Sequence, residues 1–225
     1  MNSKTKIILT SDDFGLSTIY NEKMLGMLEE NLLTSVSVMV NRISESQHCQ
    51  IKQLISIYKK KQISIGLHLE LSELKNTNEV ISQNISFEKI LGFKPDYLDL
   101  HKARYIKGDF NIIADFCNNY HIAFRKYPQT TCFVASPSLS ITATYIDIDT
   151  LEKKICGFEE DKIYEIIFHI GVYDPNSKSK LNKERELDIK KLVRVNELIK
   201  QRELSTTNYK NVYHSHKIGN SVILI

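Results

Sequence analysis

Short apolar runs that end abruptly on polar residues recur along the chain, and they alternate with stretches of helical period. Residues 6–10 form the first β-type run, broken by Ser11, Asp12, Asp13 and Gly15. Ser17 then has the character of an N-cap, and Ile19, Met24, Leu25, Met27 and Leu28 recur as one face of an amphipathic helix. The same pattern predicts strands over 36–40, 63–69, 97–100, 122–125, 163–169 and 222–225. Helices are predicted over 51–58, 87–91, 110–120 and 181–201, the one at 87–91 stopped by Gly92 with Pro95 beyond. The polar segments 72–86 and 172–182 are expected to be loops. Strands alternating with helices imply βαβ units, so the expected class is α/β with a mostly parallel sheet.

Size and composition narrow this further. A chain of 225 residues that is 42% apolar can bury one sizeable core, and a single domain over 1–225 is expected. The net charge of +3 is spread over single Lys, Asp and Glu positions, and no basic run is interleaved with aromatics. Nucleic acid is therefore not an expected partner. Cys49, Cys117, Cys132 and Cys156 form no CxxC pair, which argues against a zinc ribbon or a thioredoxin-like site and for buried free thiols. The apolar run after Lys4 and Lys6 is too short for a signal peptide, and no stretch approaches the ~18 apolar residues of a membrane span. The expected location is the cytoplasm, with no membrane partner; a homodimer is left open.

The candidate chemistry lies where strands end. Asp12 and Asp13 directly follow the first strand, and His68, His101 and His169 each fall at or just past the end of another. In α/β barrels that edge carries the catalytic groups. A single Asp there would cap a helix, and a single His would be a satisfied core residue. An Asp pair and three His at four strand ends are harder to explain that way. Their convergence would give an Asp/His/His set that suits Zn or a similar divalent ion with open positions. His214-Ser215-His216 lacks a matching carboxylate, and Ser136-Pro137-Ser138 lacks a GxSxG context.

These residues sit in stretches that resemble one family. Leu9-Thr10-Ser11-Asp12-Asp13-Phe14-Gly15-Leu16-Ser17 is similar to the opening motif of the YdjC-like carbohydrate deacetylases, and Asn21 and Thr34-Ser35-Val36-Ser37-Val38-Met39-Val40-Asn41 continue it. Gly66-Leu67-His68-Leu69 resembles the second motif, and Pro95-Asp96-Tyr97-Leu98-Asp99-Leu100-His101 the third. Phe168-His169-Ile170-Gly171-Val172-Tyr173-Asp174 resembles the fourth, followed by the charged segment Lys183-Glu184-Arg185-Glu186-Leu187.

The resemblance implies a distorted (β/α) TIM-like barrel and removal of an acetyl group from an N-acetylated sugar. By it, Asp13, His68 and His101 hold one divalent ion, Zn or Mg. Asp12 is the general base and His169 a candidate general acid. Arg104, Tyr105 and Asp174 are the expected substrate contacts of this chain. The family usually has a His-x-His-x-His run in its third motif, whereas this chain has His101-Lys102-Ala103-Arg104-Tyr105. Ala103 opens space and Arg104 adds a fixed cation, which points to an anionic N-acetyl sugar. Pairing of Arg104 with Asp96 or Asp99 is the competing expectation. A non-catalytic sugar-binding relative and another metal hydrolase on the same barrel are the competing functions.

Overall fold

A computed structural model describes residues 5–75 and 77–214. Its strands are β1 (Lys6–Phe14), β2 (Ser35–Val38), β3 (Ser64–Leu69), β4 (Tyr97–Leu100), β5 (Ala123–Phe124), β6 (Leu139–Thr142), β7 (Ile163–Phe168) and β8 (Ser205–Thr206). The helices are α1 (Thr18–Glu29), α2 (His48–Lys60), α3 (Asn78–Leu91), α4 (Asn111–Tyr120), α5 (Ile148–Cys156) and α6 (Arg185–Gln201). Seven strands run in the order β5-β4-β3-β2-β1-β7-β6, and β8 adds to the start of β1. Every pairing between these strands is parallel. The result is the expected α/β, distorted TIM-like barrel, curled but open between β5 and β6.

The two-residue period of a strand sorts its side chains into two layers. In β3, Ile65, Leu67 and Leu69 join the main apolar core, as do Leu98 and Leu100 of β4 and Ile166 and Phe168 of β7. The helices close that core from outside with residues such as Met24, Leu54, Phe87, Ile113, Leu151 and Leu192. The alternate positions face the barrel interior, where the parallel register sets His68 beside Asp99 and Gly66 beside Tyr97. A Cβ on Gly66 would lie 2.3 Å from the Tyr97 ring, so only glycine admits that ring there. Tyr97 stacks on Tyr209 at 3.8 Å, and Ile8, Ala123, Ala135 and Val212 complete a small apolar plug. Beyond that plug the interior is polar, lined by Thr10, Asp12, Ser37, His68, Asp99 and Glu165, all buried.

Several local expectations hold and others need correction. Ser17 caps α1 by accepting from the amide of Ile19, and Gly92 ends α3 in the left-handed conformation. The segment 72–86 is not wholly a loop, because α3 begins at Asn78 and buries Val80, Gln83 and Asn84. Its apolar face is sparse, which hid the helical period. The last helix starts at Arg185 rather than at 181. β6 and α5 were not anticipated: β6 is an edge strand whose residues are exposed or half-buried, and α5 buries only Leu151 and Ile155. All four cysteines are free, but only Cys117 is buried; Cys49 and Cys156 are exposed. The strand expected over 222–225, and Ser215 and His216, lie outside the described residues.

Candidate metal centre and active site

A regular strand would point Asp12 and Asp13 to opposite faces. The chain avoids this at a bulge: the register between β1 and β2 shifts between Ser11 and Phe14, and Asp13 takes a φ of +73°. A non-glycine residue in that left-handed region costs of order 1 kcal/mol. With that turn, both carboxylates have an oxygen within 4.8 Å of a ring nitrogen of His68.

Asp13, His68 and His101 converge from β1, β3 and the end of β4. Asp13 Oδ1 lies 3.3 Å from His68 Nε2 and 3.3 Å from His101 Nδ1. The two ring nitrogens are 3.1 Å apart. Asp13 Oδ1 is buried and has no hydrogen-bond partner. Its other oxygen accepts from Arg185 Nη2 at 2.6 Å. His68 Nδ1 donates to Asp99 at 2.8 Å, which turns Nε2 toward Asp13. One carboxylate oxygen and two imidazole nitrogens, all turned inward, make a set that could hold a divalent ion with open positions.

The charge balance points the same way. Asp12, Asp13, Asp99 and Glu165 are buried carboxylates, and Arg125 and Arg185 are the guanidiniums buried against them. A dication would bring this set to neutrality, and buried unpaired charge is costly. Burial pushes the Asp13 carboxyl up, but His101 and His68 outweigh it and hold it well below the carboxylate range. Burial likewise lowers His68, yet Asp99 and Asp12 raise it well above the usual imidazole value. The pocket therefore attracts positive charge strongly.

Arg125, at the end of β5, organises the second half of the site. Its Nη1 and Nη2 bind the two oxygens of Asp12 at 2.7 and 2.8 Å. It also contacts Asp99 closely and Glu165 at 3.0–3.2 Å. Thr10 donates to Glu165 at 2.8 Å. Burial raises Asp12, but Arg125 and then His68 more than offset it, so the carboxyl stays below its usual range and ionised. Each Asp12 oxygen accepts one N–H from Arg125 and keeps a second lone pair.

His169 follows β7 and is half-buried. Its Nδ1 meets Thr144 Oγ1 at 2.8 Å, and that hydroxyl donates to Asp188. Because the hydroxyl's own proton goes to Asp188, Nδ1–H is the donor to Thr144 and Nε2 is left free. Burial lowers the His169 pKa, with Asp13 and Asp12 opposing it, so the ring rests neutral near pH 7.

The remaining expected site residues are placed differently. Arg104 and Tyr105 stand exposed on the turn after His101, and Arg104 packs over Tyr105 at 4.7 Å and over Tyr145 at 5.0 Å. It pairs with neither Asp96 nor Asp99, whose oxygens are taken by Tyr58 and the Ile65 amide and by Ser37, His68 and Arg125. Asp174 is buried, accepting from Ser17 Oγ at 2.6 Å and from the amide of Asn176 at 2.9 Å. Its carboxylate ties the loop after β7 to the start of α1. Arg125, Glu165, Thr144 and Asp188 were missed from sequence. The available signals were a charge at the end of one apolar strand and a carboxylate inside another.

The comparisons with known proteins bear on this fold. No curated protein sequence matches the chain. Among solved structures, a protein described as acting in cellobiose-phosphate cleavage, from Enterococcus faecalis, superposes with a TM-score of 0.74 at 18% identity, covering 93% of this chain and 99% of that one. The Bc1960 peptidoglycan N-acetylglucosamine deacetylase superposes at 0.63 with 13% identity, over 93% of this chain and 88% of that one. A family 4 acetyl xylan esterase from Clostridium thermocellum, in complex with a cobalt ion, superposes at 0.55 with 14% identity, over 94% and 91%. At these identities the likeness is one of fold. In sequence, residues 6–79, which run from β1 to the start of α3 and carry Asp12, Asp13 and His68, are similar to the family described as YdjC-like protein.

Proposed function

We propose that this protein is a metal-dependent hydrolase that removes an acetyl group from an N-acetylated sugar. The observation that carries this is the unpartnered Asp13 Oδ1, 3.3 Å from a nitrogen of His68 and of His101, with ionised Asp12 bound next to it by Arg125. The deacetylase and esterase among the fold relatives, and the YdjC-like match, support it.

Asp13, His68 and His101 would hold the ion. When bound, it would polarise the acetyl carbonyl and acidify a water molecule. Asp12 keeps a lone pair on each oxygen and would be the group to accept a proton from the attacking water. Its low pKa makes it a weak base that is always available. His169 presents a free Nε2 with its tautomer fixed by Thr144; Nε2 would first take up a proton from solvent and then deliver it to the leaving amine nitrogen. An amine leaves poorly as an anion, so this protonation is needed for the C–N bond to break. Arg104, Tyr105 and Tyr145 form an exposed cation–aromatic group on neighbouring turns. It suits a sugar ring bearing a phosphate or carboxylate.

Acetate release from matched neutral and anionic N-acetyl sugars, by metal-stripped and reloaded protein, tests this. Turnover that vanishes on stripping and returns on reloading is expected, with anionic sugars preferred. Metal uptake without acetate release from any such sugar would favour a non-catalytic sugar-binding relative. The observation behind that alternative is Ala103, where the family usually carries His. A CE4 family pseudoenzyme from Bacillus anthracis shares the fold, with a TM-score of 0.55 at 10% identity over 95% of this chain and 66% of that one.

A further inference from the structure

The two oxygens of Asp13 have opposite fates. Oδ1 faces His68 and His101 with no hydrogen-bond partner, whereas Oδ2 is taken by Arg185, the first residue of α6 and 172 positions along the chain. We infer that Arg185 fixes Asp13 as a one-oxygen metal ligand, which makes it a positioning residue of the metal centre; this rests on the metal site proposed above.

The surroundings of Arg185 are built to hold its guanidinium in one place. The side chain is fully buried, and its guanidinium lies 4.0 Å from the centre of the Tyr20 ring. Tyr20 is itself fixed, since its hydroxyl donates to Asn182 Oδ1 at 2.6 Å. Asn182 in turn is bound to the backbone of Asp174 through both its amide oxygen and its amide nitrogen. Gly171 closes the other side. A Cβ there would fall 2.6 Å from Tyr20 Cδ1 and 3.0 Å from Arg185 Cδ, so only glycine leaves room for both side chains.

Within this frame the Arg185 side chain makes few polar contacts. Nη2 reaches Asp13 Oδ2 at 2.6 Å and Ser179 Oγ at 3.3 Å, while Nε and Nη1 have no partner. A guanidinium placed simply to neutralise charge would be expected to fork across both oxygens of a carboxylate, as Arg125 does on Asp12. Arg185 instead takes one oxygen and leaves the other bare. It also restrains a residue that sits in left-handed backbone conformation, where an untethered side chain would have little to hold it in register. Asp13 is thereby prevented from chelating through both oxygens. The ion keeps more of its coordination positions for water and substrate.

Titration of the metal-free full chain with cobalt(II), followed by the visible d–d band, tests the inference without any turnover. Wild type should bind one cobalt ion, and Asp13→Asn should lose most of that affinity. Arg185→Met should bind about 10- to 100-fold more weakly, the usual effect of losing a partner that orients a ligand. Its band should change in position and weaken as the freed second oxygen enters the coordination sphere. Gly171→Ala, which displaces the guanidinium without removing it, should shift affinity and band in the same direction by less. Circular dichroism checks folding, and if Arg185→Met does not fold, Gly171→Ala decides alone. Wild-type affinity and an unchanged band in the folded variants, with Asp13→Asn still impaired, would overturn the role of Arg185. Absence of cobalt binding by wild type, or undiminished binding by Asp13→Asn, would instead overturn the metal site itself.

Discussion

Thr144 stands between His169 and Asp188: its Oγ1 lies 2.8 Å from the imidazole Nδ1, and its own proton goes to the carboxylate. Asp188 also accepts from the His169 backbone amide at 2.8 Å, so backbone and ring are fixed by one side chain and its hydroxyl extension. The expected outcome is that Thr144→Val lowers kcat by about 10- to 100-fold, part of what a general acid contributes, while Thr144→Ser keeps most of it. Nitrogen NMR of the His169 ring supplies the check, since the valine variant should lose its preference for the Nδ1–H tautomer. An unchanged tautomer and unchanged kcat in Thr144→Val would make the contact merely structural.

Asp12 and Asp13 are neighbours with different partners, which separates their variants. Asp12→Asn should retain the ion and lose about 10²–10⁴ in turnover, the usual cost of a general base. Asp13→Asn should lose the ion. Metal analysis after gel filtration distinguishes the two, and equal loss from both variants would contradict the division of tasks.

Arg125 is the cation that lets Asp12, Asp99 and Glu165 stay ionised in the barrel interior. Removing one partner of a buried ion pair costs about 3–5 kcal/mol. Arg125→Met should therefore lower Tm on the order of 10 °C in a chain of this size. Adding Glu165→Gln to it should restore part of that loss, because one uncompensated charge is gone. A double variant no more stable than Arg125→Met would refute the charge argument.

Asp96 gives a pH dependence away from the metal site. It accepts from Tyr58 and from the Ile65 amide, yet burial pushes its pKa up to about 6. A carboxyl raised on folding binds its proton more tightly in the folded state. Its stabilising share is full below the unfolded value near 4 and is lost as pH rises through about 6. Relative to Asp96→Asn, wild type should lose on the order of 2 kcal/mol between pH 4 and pH 7. Parallel pH–stability curves for the two proteins would refute the shift.

The sequence revealed most of the frame because strand and helix periods survive wherever one face is buried. The strand from Ser64 to Leu69 alternates small or polar residues with Ile65, Leu67 and Leu69, and its ladder places His68 where the alternation implies. The elements that were misjudged bury little: β6 is an exposed or half-buried edge strand, and α5 buries two residues. The strand-end positions of Asp13, His68 and His101 made their convergence legible, and the three side chains do lie together. Arg125 and Arg185 were not legible because their roles come from contacts 113 and 172 residues apart, which no local pattern encodes. Asp174, the last residue of the fourth motif and an expected substrate contact, has its carboxylate bound by Ser17 and the Asn176 amide, contacts that the motif alone does not reveal.

The gap between β5 and β6 gives the molecule a seam as well as a mouth. A fully closed barrel binds every strand to two neighbours and resists being widened anywhere. Here the two outermost strands carry only two and four residues, and the Phe124 amide donates to Ala135 in the loop that joins them. Asp13, His68 and His101 come from β1, β3 and the residue just past β4, on the side of the sheet away from the gap's β6 lip. Arg104 and Tyr145 stand on turns that follow β4 and β6, toward opposite lips of the seam. Spreading those lips would change how large a guest the mouth admits while leaving the spacing of Asp13, His68 and His101 alone. On the metal site and substrate contacts proposed above, selectivity and ion affinity would be carried by mechanically separate parts, and one could drift over generations without dismantling the other.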